Sequence, residues 1–140
     1  MTQEQKDLLL KDLSARLPYG VVLEQTYKVT VIATNTEEVL TRKIELYSIN
    51  TLDDMTISGI HNDGEEEICF FEEVKPYLFP LSSMTEEQKE EHKDLLDNQY
   101  SFDANGSIFT LQDFYNKYHL DYRGLIPMGL ANDATILNIY

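Results

Sequence analysis

The chain has 140 residues, 42% hydrophobic and 26% charged, the proportions of one globular domain that builds its own core. A disulfide framework is excluded because Cys69 is the single cysteine. The net charge of −14 is spread evenly: residues 1–70 hold 13 acidic and 6 basic side chains, residues 71–140 hold 12 and 5, so no basic stripe is available for phosphate.

Thr2-Gln3-Glu4-Gln5 reads as a capping box, and Leu9, Leu10, Leu13 and Leu17 predict an apolar stripe on the helix that follows. Pro18 and Gly20 end it. From about 21 to 72 the pattern is of strands. Val29, Val31 and Tyr27 alternate with Lys28 and Thr30, and Ile44, Leu46 and Arg42 alternate with Lys43, Glu45 and Tyr47. A third run holds Ile57 and Ile60, and a fourth spans Ile68 to Phe71. Asn35 to Glu38, Asp53-Asp54 and Asn62-Asp63-Gly64 are the breaks. Short loops favour an antiparallel meander, with the first helix over one face.

Lys75-Pro76-Tyr77-Leu78-Phe79-Pro80 is read as an extended connector, since proline removes a backbone donor and biases its predecessor away from helix. Thr85-Glu86-Glu87-Gln88 is a second capping box, opening a mostly solvated helix over about 86–97. Tyr100-Ser101-Phe102 and Ser107-Ile108-Phe109 flank Asn105-Gly106, a strong hairpin signal. Thr110 caps a third helix, with Leu111, Phe114, Tyr115 and Tyr118 on one face. Ala134 to Tyr140 is read as a closing strand. The expected class is α+β: a mainly antiparallel sheet of four to five strands, an N-terminal helix and two helices in the C-terminal half, all in a single acidic domain over residues 1–140.

No motif for catalysis, metal or nucleotide binding survives inspection. Ser101 to Ile108 imitates part of a calcium loop, but Ser101 and Gln112 stand where carboxylates are needed. His61, His92 and His119 lack zinc-ligand spacing with one another or with Cys69. No metal and no cofactor is expected. His119-Leu-Asp121-Tyr122-Arg123 gathers a base, an acid and a cation; it is the one segment on which a small enzyme would draw, and more often such a segment ties a loop to the core.

Asp63, Glu65, Glu66, Glu67, Glu72 and Glu73 form the densest acidic stretch. It reads as an acidic docking surface or a plain solvated edge. Nine tyrosines without a tryptophan hint at interfaces. Arg16 and Tyr19 after the first helix, Lys75 and Tyr77 in the connector, and Tyr122 and Arg123 in the last loop combine aromatic area with positive charge near turns and prolines. They are the candidate partner-binding residues, with core closure as the alternative.

Three segments carry a resemblance: Leu13-Ser-Ala-Arg16-Leu17-Pro18-Tyr19-Gly20-Val21, Lys75-Pro76-Tyr77-Leu78-Phe79-Pro80-Leu81-Ser82-Ser83-Met84-Thr85, and Asp121-Tyr122-Arg123-Gly124-Leu125-Ile126-Pro127-Met128-Gly129-Leu130-Ala131. They resemble a group of short uncharacterised proteins encoded by gut Bacteroidales and their phages or other mobile elements. No activity is established for that group, so no site residues carry over; the resemblance implies a bacterial or phage cytoplasm.

The leading expectation is a small non-enzymatic protein-binding accessory factor. The alternative is an acidic inhibitor, either an immunity-type protein or a nucleic-acid mimic in a basic groove. The partner is a protein, and the charge allows it to be basic. Direct nucleic-acid or membrane binding is not expected. Met1 to Asp7 lacks a signal-peptide pattern, and no run nears the roughly 20 apolar residues of a membrane span, so the cytoplasm is the expected compartment.

Overall fold

The computed structural model describes residues 1–52 and 56–140; the expected break at Asp53-Asp54 lies outside them. The first helix, α1, spans Gln3–Arg16. Its capping box forms as the sequence predicts: the Thr2 hydroxyl accepts the Gln5 N–H, and the Gln5 side chain accepts the Thr2 N–H. Leu9, Asp12, Leu13 and Arg16 are its buried positions. The spacing is that of one helix face, but two of the four are charged. A 3₁₀ turn over Leu17–Tyr19 and left-handed Gly20 (φ 70°) redirect the chain into the sheet.

Strands β1 (Val22–Val31), β2 (Thr36–Asn50), β3 (Thr56–Ile60) and β4 (Glu66–Phe70) pair in succession, all antiparallel. This is the expected meander. Alternation sends Leu23, Ile44, Leu46, Ile57 and Cys69 inward, where they form the main core with Leu9 and Leu13 of α1. Gly59 of β3 is set against Ile44 of β2: a Cβ there would overlap the Ile44 side chain, with its Cγ1 at 2.7 Å. Only glycine allows this approach.

The sheet is larger than expected and mixed. Among the described residues it has six strands, in the order β4-β3-β2-β1-β5-β8. The stretch read as a connector is β5 (Val74–Leu78), antiparallel to the second edge of β1 through Leu23 to Gln25. Pro76 is tolerated because β8 (Asn132–Asp133) pairs, in parallel, only with Tyr77 and Leu78, so no ladder bond on that side is asked of the proline. The closing strand is thus Asn132–Asp133 and not Ala134 to Tyr140. The Asp133 carboxylate accepts both the N–H and the hydroxyl of Thr135, and Leu137 N–H bonds back to Ala134. That local turn bends the chain off the sheet.

A second, smaller core lies beside the sheet. It contains Leu95 of α2 (Glu86–Asn98), Phe114 of α3 (Leu111–Lys117) and Leu120, with Phe79, Met84, Phe109, Tyr115 and Tyr118 packed on it. Both helices open with the capping boxes read from the sequence, Thr85 with Gln88 and Thr110 with Asp113. Between them runs the expected hairpin, β6 (Tyr100–Phe102) and β7 (Ile108–Thr110). Its loop is held by Asp103, whose Oδ1 accepts the N–H groups of Asn105 and Ser107, and by Gly106 at φ 76°.

Candidate functional site

The six candidate partner-binding residues separate into a buried group and a surface group. Arg16 is fully buried. Its Nε and Nη2 donate to the two oxygens of Asp12 at 2.7 and 3.0 Å, and Nη2 also donates to the Leu120 carbonyl at 2.8 Å. The Arg123 guanidinium adds a second cation, its Nε 3.5 Å from Asp12 Oδ1. The Tyr122 ring lies under both, 5.4 Å from the Arg16 Cζ and 4.4 Å from that of Arg123, and stacks on Tyr115 at 4.8 Å. Arg16, Tyr122 and Arg123 therefore come together around Asp12. Their work is to bind the last loop to α1, and Arg16 is beyond the reach of a partner.

Tyr77 is also buried; its hydroxyl donates to Glu24 at 3.0 Å, and burial, with the Glu24 carboxylate, pushes that hydroxyl up to about 12. Tyr19 is half-buried and donates to Asp113 at 3.1 Å. Lys75 alone of the six is exposed, opposite Glu24 in the β1–β5 ladder.

The His119–Arg123 segment does not converge. The Asp121 carboxylate accepts the backbone N–H groups of Leu125 and Ile126 at 2.8 and 2.9 Å. His119 lies flat on Tyr140, ring centroids 3.7 Å apart. Burial, with Arg16 nearby, lowers its imidazole to about 4, so the ring is neutral at pH 7. A cavity of about 370 Å³ touches His119, Phe79, Lys117, Tyr118 and Tyr140, without Asp121 or Arg123. Among the described residues no group of three His, Cys, Asp or Glu side chains is arranged to hold a metal ion.

The acidic stretch is dispersed by the strand that carries it. On β4, Glu66 and Glu67 point to opposite faces. Glu67 pairs with Arg42 at 2.8 Å, Glu72 pairs with Lys6, and Glu73 accepts the Phe70 N–H. Asp63 accepts the Glu65 N–H at the β3–β4 turn. These carboxylates do not form one aligned row.

The feature that sequence reading passed over is the outer face of the β6–β7 hairpin. Phe102 opposes Ile108 directly, so both side chains share a face, and Tyr100 meets Phe102 edge-to-face at 5.7 Å. Tyr100, Phe102 and Ile108 are 49%, 64% and 64% exposed. The opposite face turns Phe109 onto the second core. Helix α2, with six acidic residues and two lysines, enters β6 through the single residue Gln99. The Tyr-x-Phe alternation was visible in the sequence; which face would be covered was not. No helix among the described residues is long and apolar enough to cross a membrane. Comparison with family models, curated proteins and solved structures finds no match.

Proposed function

We propose that this chain is a small non-enzymatic protein-binding factor of a bacterium or its phage, working in the cytoplasm. It docks a basic partner segment on the outer face of the β6–β7 hairpin. The observation that supports the reading is the contiguous aromatic and aliphatic face of Tyr100, Phe102 and Ile108 beside the acidic helix α2. Clustered exposed apolar side chains mark interaction sites more often than isolated ones do. Tyrosine and phenylalanine supply large contact area at low entropic cost. The carboxylates of α2 favour a cationic partner and speed its approach.

The test compares wild type with a Tyr100→Ser/Phe102→Ser double variant as baits in host lysate, read by mass spectrometry. The expected result is a protein held by wild type at low salt, weakened by added salt and lost from a variant of unchanged melting temperature. Equal capture by both baits would sink the proposal.

A further inference from the structure

The β1–β2 hairpin is longer than the sheet around it. Only Leu23 to Gln25 of β1 pair with β5, and β3 takes β2 only from Glu45 onward. Residues 26–41 therefore form a two-stranded arm, and the outer backbone edge of Thr26 to Val31 has no strand partner among the described residues. An unpaired edge presents alternate N–H and C=O groups for another strand. Thr26-Tyr27-Lys28-Val29-Thr30-Val31 is rich in β-branched residues and lacks proline and glycine, so it is well suited to pairing.

Charge singles out what pairs with it. Residues 26–36 contain no acidic side chain and one lysine, in a chain of net charge −14. Glu37 and Glu38 lie on β2, across the ladder from Thr30 and Val29, so it is the β1 edge of the arm along which two copies can meet with little repulsion. The sequence is also self-complementary in one antiparallel register. Centred on Val29, Tyr27 faces the second copy's Val31, and Lys28 faces Thr30, so no two lysines oppose. Tyr27, Val29 and Val31 lie on the inner face, half-buried, with Leu40 opposite Tyr27 in the β1–β2 ladder. Pairing extends this apolar stripe across both copies. We propose that the chain self-associates through antiparallel β1–β1 pairing about Val29, joining the arms of two copies along the free edge of β1. This does not rest on the hairpin-face reading.

The contact is small, so the dimer is weak and is sought at high concentration. Its salt dependence has a distinctive sign: screening the overall negative charge strengthens association, whereas a basic partner on α2 is weakened by salt. Sedimentation equilibrium should show a dimer fraction rising with protein concentration and from low to high salt. Val29→Lys places two cations at the symmetry axis and should weaken association at least tenfold without changing the melting temperature. Directly opposed residues have Cα atoms about 4.5–5.5 Å apart, within disulfide range. Mild oxidation of Val29→Cys should therefore give a covalent dimer faster than Ser82→Cys, an exposed control away from the arm, with native Cys69 buried in both. A monomer at roughly millimolar concentration in high salt would overturn the proposal and leave the edge to an extended segment of another protein. Undiminished association of Val29→Lys, or equal crosslinking of the two cysteine variants, would overturn it too.

Discussion

The Arg16 guanidinium donates to the main-chain carbonyl of Leu120 across 104 residues of sequence. Through this bond, and through Asp12, the first helix holds the loop that closes the second core. Removing one member of a buried ion pair leaves the other charged and unpaired, at a cost of about 3–5 kcal/mol. Asp12→Ala should destabilise by this order in urea titrations, and Arg16→Ala, which leaves Asp12 the Arg123 guanidinium, by somewhat less. Asp12→Leu/Arg16→Met, which removes both charges and keeps volume, should cost less than either single change. Single variants within 1 kcal/mol of wild type, an order set by surface pairs, would contradict the assignment.

Tyr77 and Lys75 are neighbours but one with opposite environments, and their alanine variants should separate sharply. Tyr77→Ala empties a buried site and leaves Glu24 without its hydroxyl donor. A loss of about 3 kcal/mol or more is expected. Tyr77→Phe removes only the hydrogen bond and should cost about 1 kcal/mol. Lys75→Ala, on the surface, should fall within about 0.5 kcal/mol. Chemical denaturation of the three variants decides the order.

His119 makes stability fall with acid. Its folded value of about 4 lies below the ordinary value near 6.5, so the unfolded chain takes up the proton first. The neutral ring's contribution is complete above about pH 6.5 and is lost as pH falls toward 4. His119→Asn suits the left-handed backbone at this position (φ 55°) and removes the titration. The stability advantage of wild type over this variant should shrink by up to about 3 kcal/mol between pH 7 and pH 4. A gap that stays constant over that range would place the group elsewhere.

Cys69 is fully buried, and burial, followed by the carboxylates of Glu73 and Glu67, pushes its thiol up to about 11. Thiolate is the reactive form, so a disulfide reagent at pH 7.5 should modify the native protein only as fast as β4 opens. Added urea should accelerate labelling steeply through the unfolding transition. Complete labelling within seconds in buffer alone would show that the strand is not closed over the thiol.

Much of the chain's local architecture was legible. Three capping boxes, the meander of β1 to β4 and the Asn105-Gly106 hairpin each depend on residues close together along the chain. Their hydrogen bonds form between near neighbours, and period-two alternation records a sheet with one buried face. The inward direction of Ile44 and Leu46 follows from the same alternation.

Other features depend on what lies across the fold. Nothing within α1 tells Arg16 that the Leu120 carbonyl will reach it, so a charged turn of helix reads as solvent-facing and is buried instead. Lys75 to Pro80 reads as a connector because prolines weaken a ladder; Val74–Leu78 is a strand because β8 asks for no bond at Pro76. The Tyr100–Phe102 alternation predicts two faces of a hairpin, and only the position of Phe114 and Leu95 selects the one that is covered. The sequence by itself determined capping, turns and strand alternation, because those interactions close within a few residues. The tertiary structure decided which charges are buried, which strands join the sheet and which apolar face is left for a partner, because desolvation depends on every segment that packs against a side chain.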